Sequence, residues 1–293
     1  MRKKRSAGEL SFDVLNTAIM LALIATTLYP FAYVLFASLS DAVELMRHRG
    51  IMWMPQGFSL EAYKTVLSND SIISGYRNTI FYVVVGSAFN LLMTSLGAYV
   101  LSRRNVMLKK QIMIMIVITM FFGGGLIPTY LLINDLGLYN TRAALIIPGA
   151  ISTWNLIVMR TSFQGVPYSL EESARIDGAN DFTILFRVII PLSLPVLAVM
   201  TLFYAVGHWN SYFGALIYLT DASKFPLQLV LREVLLTTNM EEWLTGVPSD
   251  SRHQVAQTIK YATIMVATVP ILILYPFLQK YFVKGVMIGS LKE

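Results

Sequence analysis

Apolar residues in this chain come in long unbroken runs, not at alternate positions. Charged residues are missing from six stretches, 14–40, 78–102, 111–134, 143–159, 188–220 and 261–279, which are 27, 25, 24, 17, 33 and 19 residues long. A helix rises about 1.5 Å per residue, so roughly 20 residues cross the hydrocarbon core of a bilayer. Lipid cannot satisfy free backbone groups, and continuous apolar runs do not fit the alternating strands of a barrel. The pattern therefore predicts an all-α integral membrane protein. Six transmembrane helices are expected, over 14–40, 78–102, 111–134, 143–159, 191–217 and 261–280, in a single transmembrane domain covering 1–293. The fifth gap is too long for one crossing, so its first residues are assigned to an element outside the bilayer.

Composition agrees with this pattern. The chain has 293 residues, 55% hydrophobic and 14% charged, whereas a soluble domain carries about 25% charged residues. There is no cysteine, which excludes a disulfide framework and a thiol nucleophile. Six crossings put both ends on one side. That side collects Arg2, Lys3, Lys4, Arg5, Arg103, Arg104, Lys109, Lys110, Arg160, Arg175, Arg187, Lys280, Lys284 and Lys292, 14 of the 23 basic residues. The positive-inside rule makes it the cytoplasm, which predicts a multi-pass protein of the cytoplasmic (inner) membrane with both termini inside. The first run is too long for a signal-peptide core, so a retained anchor helix is expected. The net charge of +6 is accounted for by these loops and does not require nucleic acid.

The runs also constrain the energy source. Ion-coupled carriers need ionisable groups within the membrane. The six gaps hold no Asp, Glu, Lys or Arg, and His208 is their only histidine. The other two, His48 and His253, offer no metal-ligand spacing, and no G-x-x-x-x-G-K-[ST] phosphate loop is present. No catalytic residue, metal or cofactor is assigned to this chain, and it is not read as an enzyme. Uphill transport would then need another subunit. A stand-alone channel or ion-coupled secondary carrier is the alternative.

The segment 167–181, PYSLEESARIDGAND, carries the most information. Ser169 is placed to cap a helix, with Glu172 completing a capping box and Gly178 ending it. A loop helix within 168–182 follows, then an amphipathic stretch, 182–190, that runs to Pro191. These residues resemble the permease subunits of binding-protein-dependent ABC importers, whose hallmark is E-A-A-x3-G-x9-I-x-L-P. Glu172, Ser173 and Ala174 stand at the first three positions, Gly178 at the glycine, Val188 and Ile190 at the aliphatic positions and Pro191 at the proline. Ser173, Val188 and Ile190 depart from the pattern but keep its size and character.

The six runs and the long first outer loop, 41–76, resemble the carbohydrate-uptake subfamily that includes the smaller maltose-importer permease. The segments 122–130 and 285–293 are similar to its oligosaccharide branch, and within that to the second permease subunit of alginate importers. The resemblance implies a type I importer transmembrane domain working by alternating access. It implies a heterodimer with a second permease, two ABC ATPase subunits carrying ATP and Mg, a solute-binding protein outside and an oligosaccharide cargo. It assigns ATPase coupling to Glu171, Glu172, Ser173, Ala174, Arg175, Asp177, Gly178 and Ala179.

Two further groups come from the residues themselves. Trp154, Asn155, His208, Trp209, Asn210 and Tyr212 offer ring faces and hydrogen-bonding groups for a sugar path. Polar groups in lipid need a partner or a wet lumen. Gly123, Gly124, Gly125 and Pro128 would form a gate or hinge, or else a close helix contact. The loops 41–76 and 221–257 are the expected docking face for the binding protein.

Overall fold

Every regular element in the computed structural model, which describes residues 7–236 and 255–273, is helical. Arg2–Arg5, the part of the second long loop with Glu241, Glu242, Trp243 and Asp250, His253, and the tail at 285–293 lie outside the described residues. So do Lys280, Lys284 and Lys292. The described residues form two compact units, 7–69 with 233–236 and 255–269, and 70–232 with 270–273.

The first unit opens with α1, Ala7–Ser38, apolar all round and with its best 18-residue window unburied inside the chain. Such a helix is a membrane span. Only its last turns pack: Ala37 meets Leu45 and Met52, with Tyr33, Phe36 and Tyr261 alongside. The Met52 N–H donates to the Tyr29 hydroxyl at 3.1 Å. Asp41 caps α2, Ala42–Arg47, by accepting from the Val43 and Glu44 amides at 2.9 and 3.2 Å. A short α3, Glu61–Leu67, follows. The last apolar run is helical from Val255 to Ile273.

The second unit begins with α4, Asp70–Phe81, a π-helical stretch, Tyr82–Gly86, and α5, Ser87–Ser102. These join into one 33-residue span, Asp70–Ser102. It starts eight residues before the charge-free run, because charges mark where lipid ends and not where a helix must stop. Next come α6, Lys109–Phe121, and α7, Leu126–Asp135, set at 115° to each other. Then α8, Thr153–Gln164, leads to α9, Tyr168–Ile176. The chain continues through α10, Asp181–Ile184, a second π-helical stretch, Leu185–Ile189, and α11, Ile190–Leu192. At Ser193 it turns by 88° into α12, Leu194–Trp209, then α13, Phe213–Tyr218, and the first six residues of α14, Leu227–Leu236, whose last four belong to the first unit. The core of this unit joins Ala98 and Leu101 of α5, Leu156, Met159 and Phe163 of α8, and Val199 and Met200 of α12.

Three spans depart from a single continuous helix: 111–134, broken between α6 and α7, 143–159 and 191–217. Among the described residues, three helices are long and apolar enough to cross a membrane, or up to five if each bent pair counts as one. The run 143–159 is not one helix. It is a 3₁₀ turn, Arg142–Leu145, then irregular chain through Pro148 and Gly149, then α8. Pro148 cannot continue a helix, and the freed carbonyls find partners inside the protein. The run 191–217 is likewise broken after Trp209, where Asn210 turns its amide back onto the Val206 carbonyl at 3.0 Å.

Candidate functional site

Asn90 lies on the buried face of α5, and its amide donates to the carbonyls of Gly149 and Ala150 at 2.6 and 3.0 Å. Its Oδ1 lies 2.7 Å from His208 Nε2 on α12. The Tyr204 hydroxyl accepts from the Ser152 amide at 3.1 Å and shares a 2.6 Å hydrogen bond with Thr94. Ser152 caps α8, and Asn155 is buried in its first turn. The helix break at 146–152 is thus held by side chains of the two neighbouring helices.

These groups wall an open cavity of about 720 Å³ lined by Asn90, Trp154, Asn155, Tyr204, His208 and Asn210, among others. Its described lining contains no Asp, Glu, Lys or Arg. Ring faces beside amide and hydroxyl groups suit a hydroxyl-rich ligand, and no carboxylate there would repel an anionic one.

Four of the six predicted path residues therefore meet at one cavity. The other two do not. Trp209 turns to Tyr76, rings edge to face at 6.3 Å, and Tyr212 lies edge-on to Phe213. One helical position is a turn of about 100°, which carries Trp209 away from the face that holds His208. Asn90 was absent from the predicted set, although the rule that singles out Asn155 applies to it equally. Gly86 also belongs here: a Cβ on it would lie 2.5 Å from His208 Nε2, so only glycine leaves room for that ring.

The second candidate region is α9 and the turn after it. Pro167 is the N-cap and the Ser169 side chain makes no capping bond, so the predicted capping box does not form. The helix begins at Tyr168, which puts Ser169 inside the first turn and Glu172 beyond capping reach. The C-terminal expectation holds. Gly178 has φ +83°, its N–H donates to the Arg175 carbonyl, and the Ala179 N–H donates to the Ala174 carbonyl at 2.9 Å. This is a Schellman turn, whose left-handed position favours glycine. Glu172, Ser173, Arg175, Asp177 and Gly178 are exposed, and Ala174 and Ala179 are partly covered. Glu171 instead points inward, with 4% of its side chain exposed. It pairs with Arg103, which follows α5, and accepts from Arg175 at 3.2 Å. Arg175 also meets Asp181 at 2.5 Å. The hydrogen bond to Glu171 raises the Arg175 pKa above its ordinary value.

At the predicted hinge the chain breaks between α6 and α7. Gly125 caps α7 at φ +85°, and Pro128 sits in the first turn, where a missing N–H costs nothing. A Cβ on Gly123 would meet nothing within 4 Å, so close packing within this chain does not explain that glycine.

Residues 71–288 match the sequence profile of the binding-protein-dependent transport system inner membrane component family. The chain belongs to this family. The permease is 42% identical over 96% of its length to the polygalacturonan/rhamnogalacturonan transport system permease protein YtcP of Bacillus subtilis (strain 168), covering 98% of that protein. Protein LplC of the same organism is 43% identical over 96% of this chain and 95% of its own length. The structure matches, with a TM-score of 0.89 and 34% identity, a chain in the crystal structure of a bacterial ABC transporter involved in the import of the acidic polysaccharide alginate. That match covers 96% of this chain and 99% of the other. A second chain, from the bacterial alginate transporter in complex with an alginate pentasaccharide-bound periplasmic protein, shares the fold at TM-score 0.56 and 14% identity, covering 94% of this chain and 96% of its own. The chain is thus a membrane transport permease with the transmembrane-domain fold of ABC importers.

Proposed function

We propose that this permease is one half of a heterodimeric importer for acidic, uronate-type oligosaccharides. Two ATPase subunits drive it from the cytoplasmic face, and a solute-binding protein delivers the sugar from outside. The exposed face of α9 and its glycine turn dock into the ATPases, and the break at 122–128 serves as a hinge. Both termini are placed in the cytoplasm, a reading supported by the excess of basic residues on that side.

One observation carries the cargo: near-full-length likeness to importers of two acidic polymers. Polygalacturonan and alginate are both built of uronic acids, and proteins named for them resemble this chain over 96% of its length. The acid-free, aromatic cavity accords with such a cargo. The test is uptake into liposomes holding the complex with its partners. ATP-dependent import of oligogalacturonate or oligoalginate, and little of a neutral oligosaccharide, is expected. Equal import of both classes would overturn the cargo, and uptake by this chain alone without ATP would favour a secondary carrier.

A further inference from the structure

Glu171 poses a physical question. Taking a carboxylate and a guanidinium out of water is expensive, and an apolar pair of equal volume would hold two helices together as well or better. Yet 4% of the Glu171 side chain and 15% of the Arg103 side chain are exposed. What a charged pair adds is direction. The Arg103 fork is fixed from several sides: Nη1 on Glu171, Nη2 on the Phe163 carbonyl at 3.2 Å, Nε on the Ser102 hydroxyl at 2.9 Å, and the plane over the Tyr99 ring at 4.9 Å. Tyr99 donates to Asp181 at 3.3 Å, and Asp181 returns to Arg175 and so to Glu171. The cluster closes on itself around the root of α9.

The two helices that hold Arg103, α5 and α8, reach the cavity. Asn90 lies on α5 thirteen residues before Arg103, about 20 Å along the axis. Trp154 and Asn155 open α8, and the carbonyl of Phe163, in its last turn, accepts from Arg103. Between these ends α5 and α8 are packed through Ala98, Leu156, Met159 and Phe163.

We infer that Glu171 is a positioning residue: its buried pairing with Arg103 locks α9 to the packed α5–α8 pair, so that a displacement of the loop helix is delivered to the cavity wall. This gives Glu171 and Glu172 different tasks, one holding the helix from within and the other facing outward. The inference rests on the proposed function, and the native complex tests that reading first. No ATP-dependent uptake by it would sink the proposed function, whereas ATP-dependent uptake by it with an altered ratio only in the variants below separates the joint from that reading.

In the working complex the measurement is sugar imported per ATP hydrolysed. Glu171→Gln and Arg103→Gln should each lower that ratio about fivefold. The double variant should fall no further than Arg103→Gln alone, because both singles break one joint. An apolar pair, Glu171→Leu with Arg103→Met, refills the buried volume and keeps the assembly stable, yet should also show the low ratio. A native ratio in the apolar pair, a proportional fall of uptake and hydrolysis, or multiplying effects in the double variant would each overturn the inference.

Discussion

Polar side chains inside apolar runs decide the local structure of this permease. Asn90 holds two carbonyls and a histidine. Asn78 donates to the carbonyls of Ser223 and Phe225 at 2.8 and 3.1 Å and accepts from Arg142 at 2.9 Å. Asn90→Leu should strand three partners and lower stability by about 1–3 kcal/mol, read as the thermal midpoint of the solubilised complex. Asp221 holds the turn that follows α13. Its carboxylate accepts from the Ser223 hydroxyl at 2.7 Å and the Ser223 amide at 3.0 Å, and meets Lys224 at 3.1 Å. These contacts, the Ser223 hydroxyl first, lower its pKa from 3.8 to about 2. A folded-state pKa below the unfolded one means the stabilisation is complete above 3.8 and is lost as pH falls through about 2. Asp221→Ala should therefore be less stable than the native chain near neutral pH, with the gap closing across that acid window. Thermal midpoints across the pH series would show it.

At the scale of elements, glycines and helix breaks place the working parts. Gly178→Val would force a β-branched residue to φ +83°, a conformation that costs an L-residue about 1–2 kcal/mol. Its turn should distort, and ATP hydrolysis should continue with little uptake; normal coupling in that variant would remove the turn from the mechanism. Gly86→Ala should push the His208 ring away from Asn90, and reduced uptake with unchanged assembly is expected in the same liposomes. The π-helical stretch that ends at Gly86 adds a residue to its turn and so sets the register at which α5 presents Asn90. Nothing in the run of valines at 83–85 announces such a stretch. Ser169 shows the opposite failure: a good capping residue that lies inside the first turn, because the helix already begins at Tyr168 after Pro167.

For the whole molecule, charge placement is the guide to topology. The chain has no cysteine, so single cysteines report sidedness without background. A cysteine at Glu172 should react with a membrane-impermeant reagent only from the cytoplasmic face, and one at Ser223 only from outside. The reverse pattern would overturn the orientation. The charge-free runs find the apolar helices at 8–38, 70–102 and 255–273, although each helix begins six to eight residues before its run, because a charge marks where lipid ends and not where a helix must start. They do not show that two runs bend by 88° and 115°.

By itself the amino-acid sequence determined the membrane class, the loop helix and its glycine turn. Each follows from a local rule: lipid excludes charge, and a left-handed residue favours glycine. Only the tertiary structure decided which polar residues share a cavity and that Glu171 is turned inward to Arg103. Those outcomes depend on helix rotation and on partners 68 residues apart, as for Arg103 and Glu171. No periodicity along the chain encodes such a pairing.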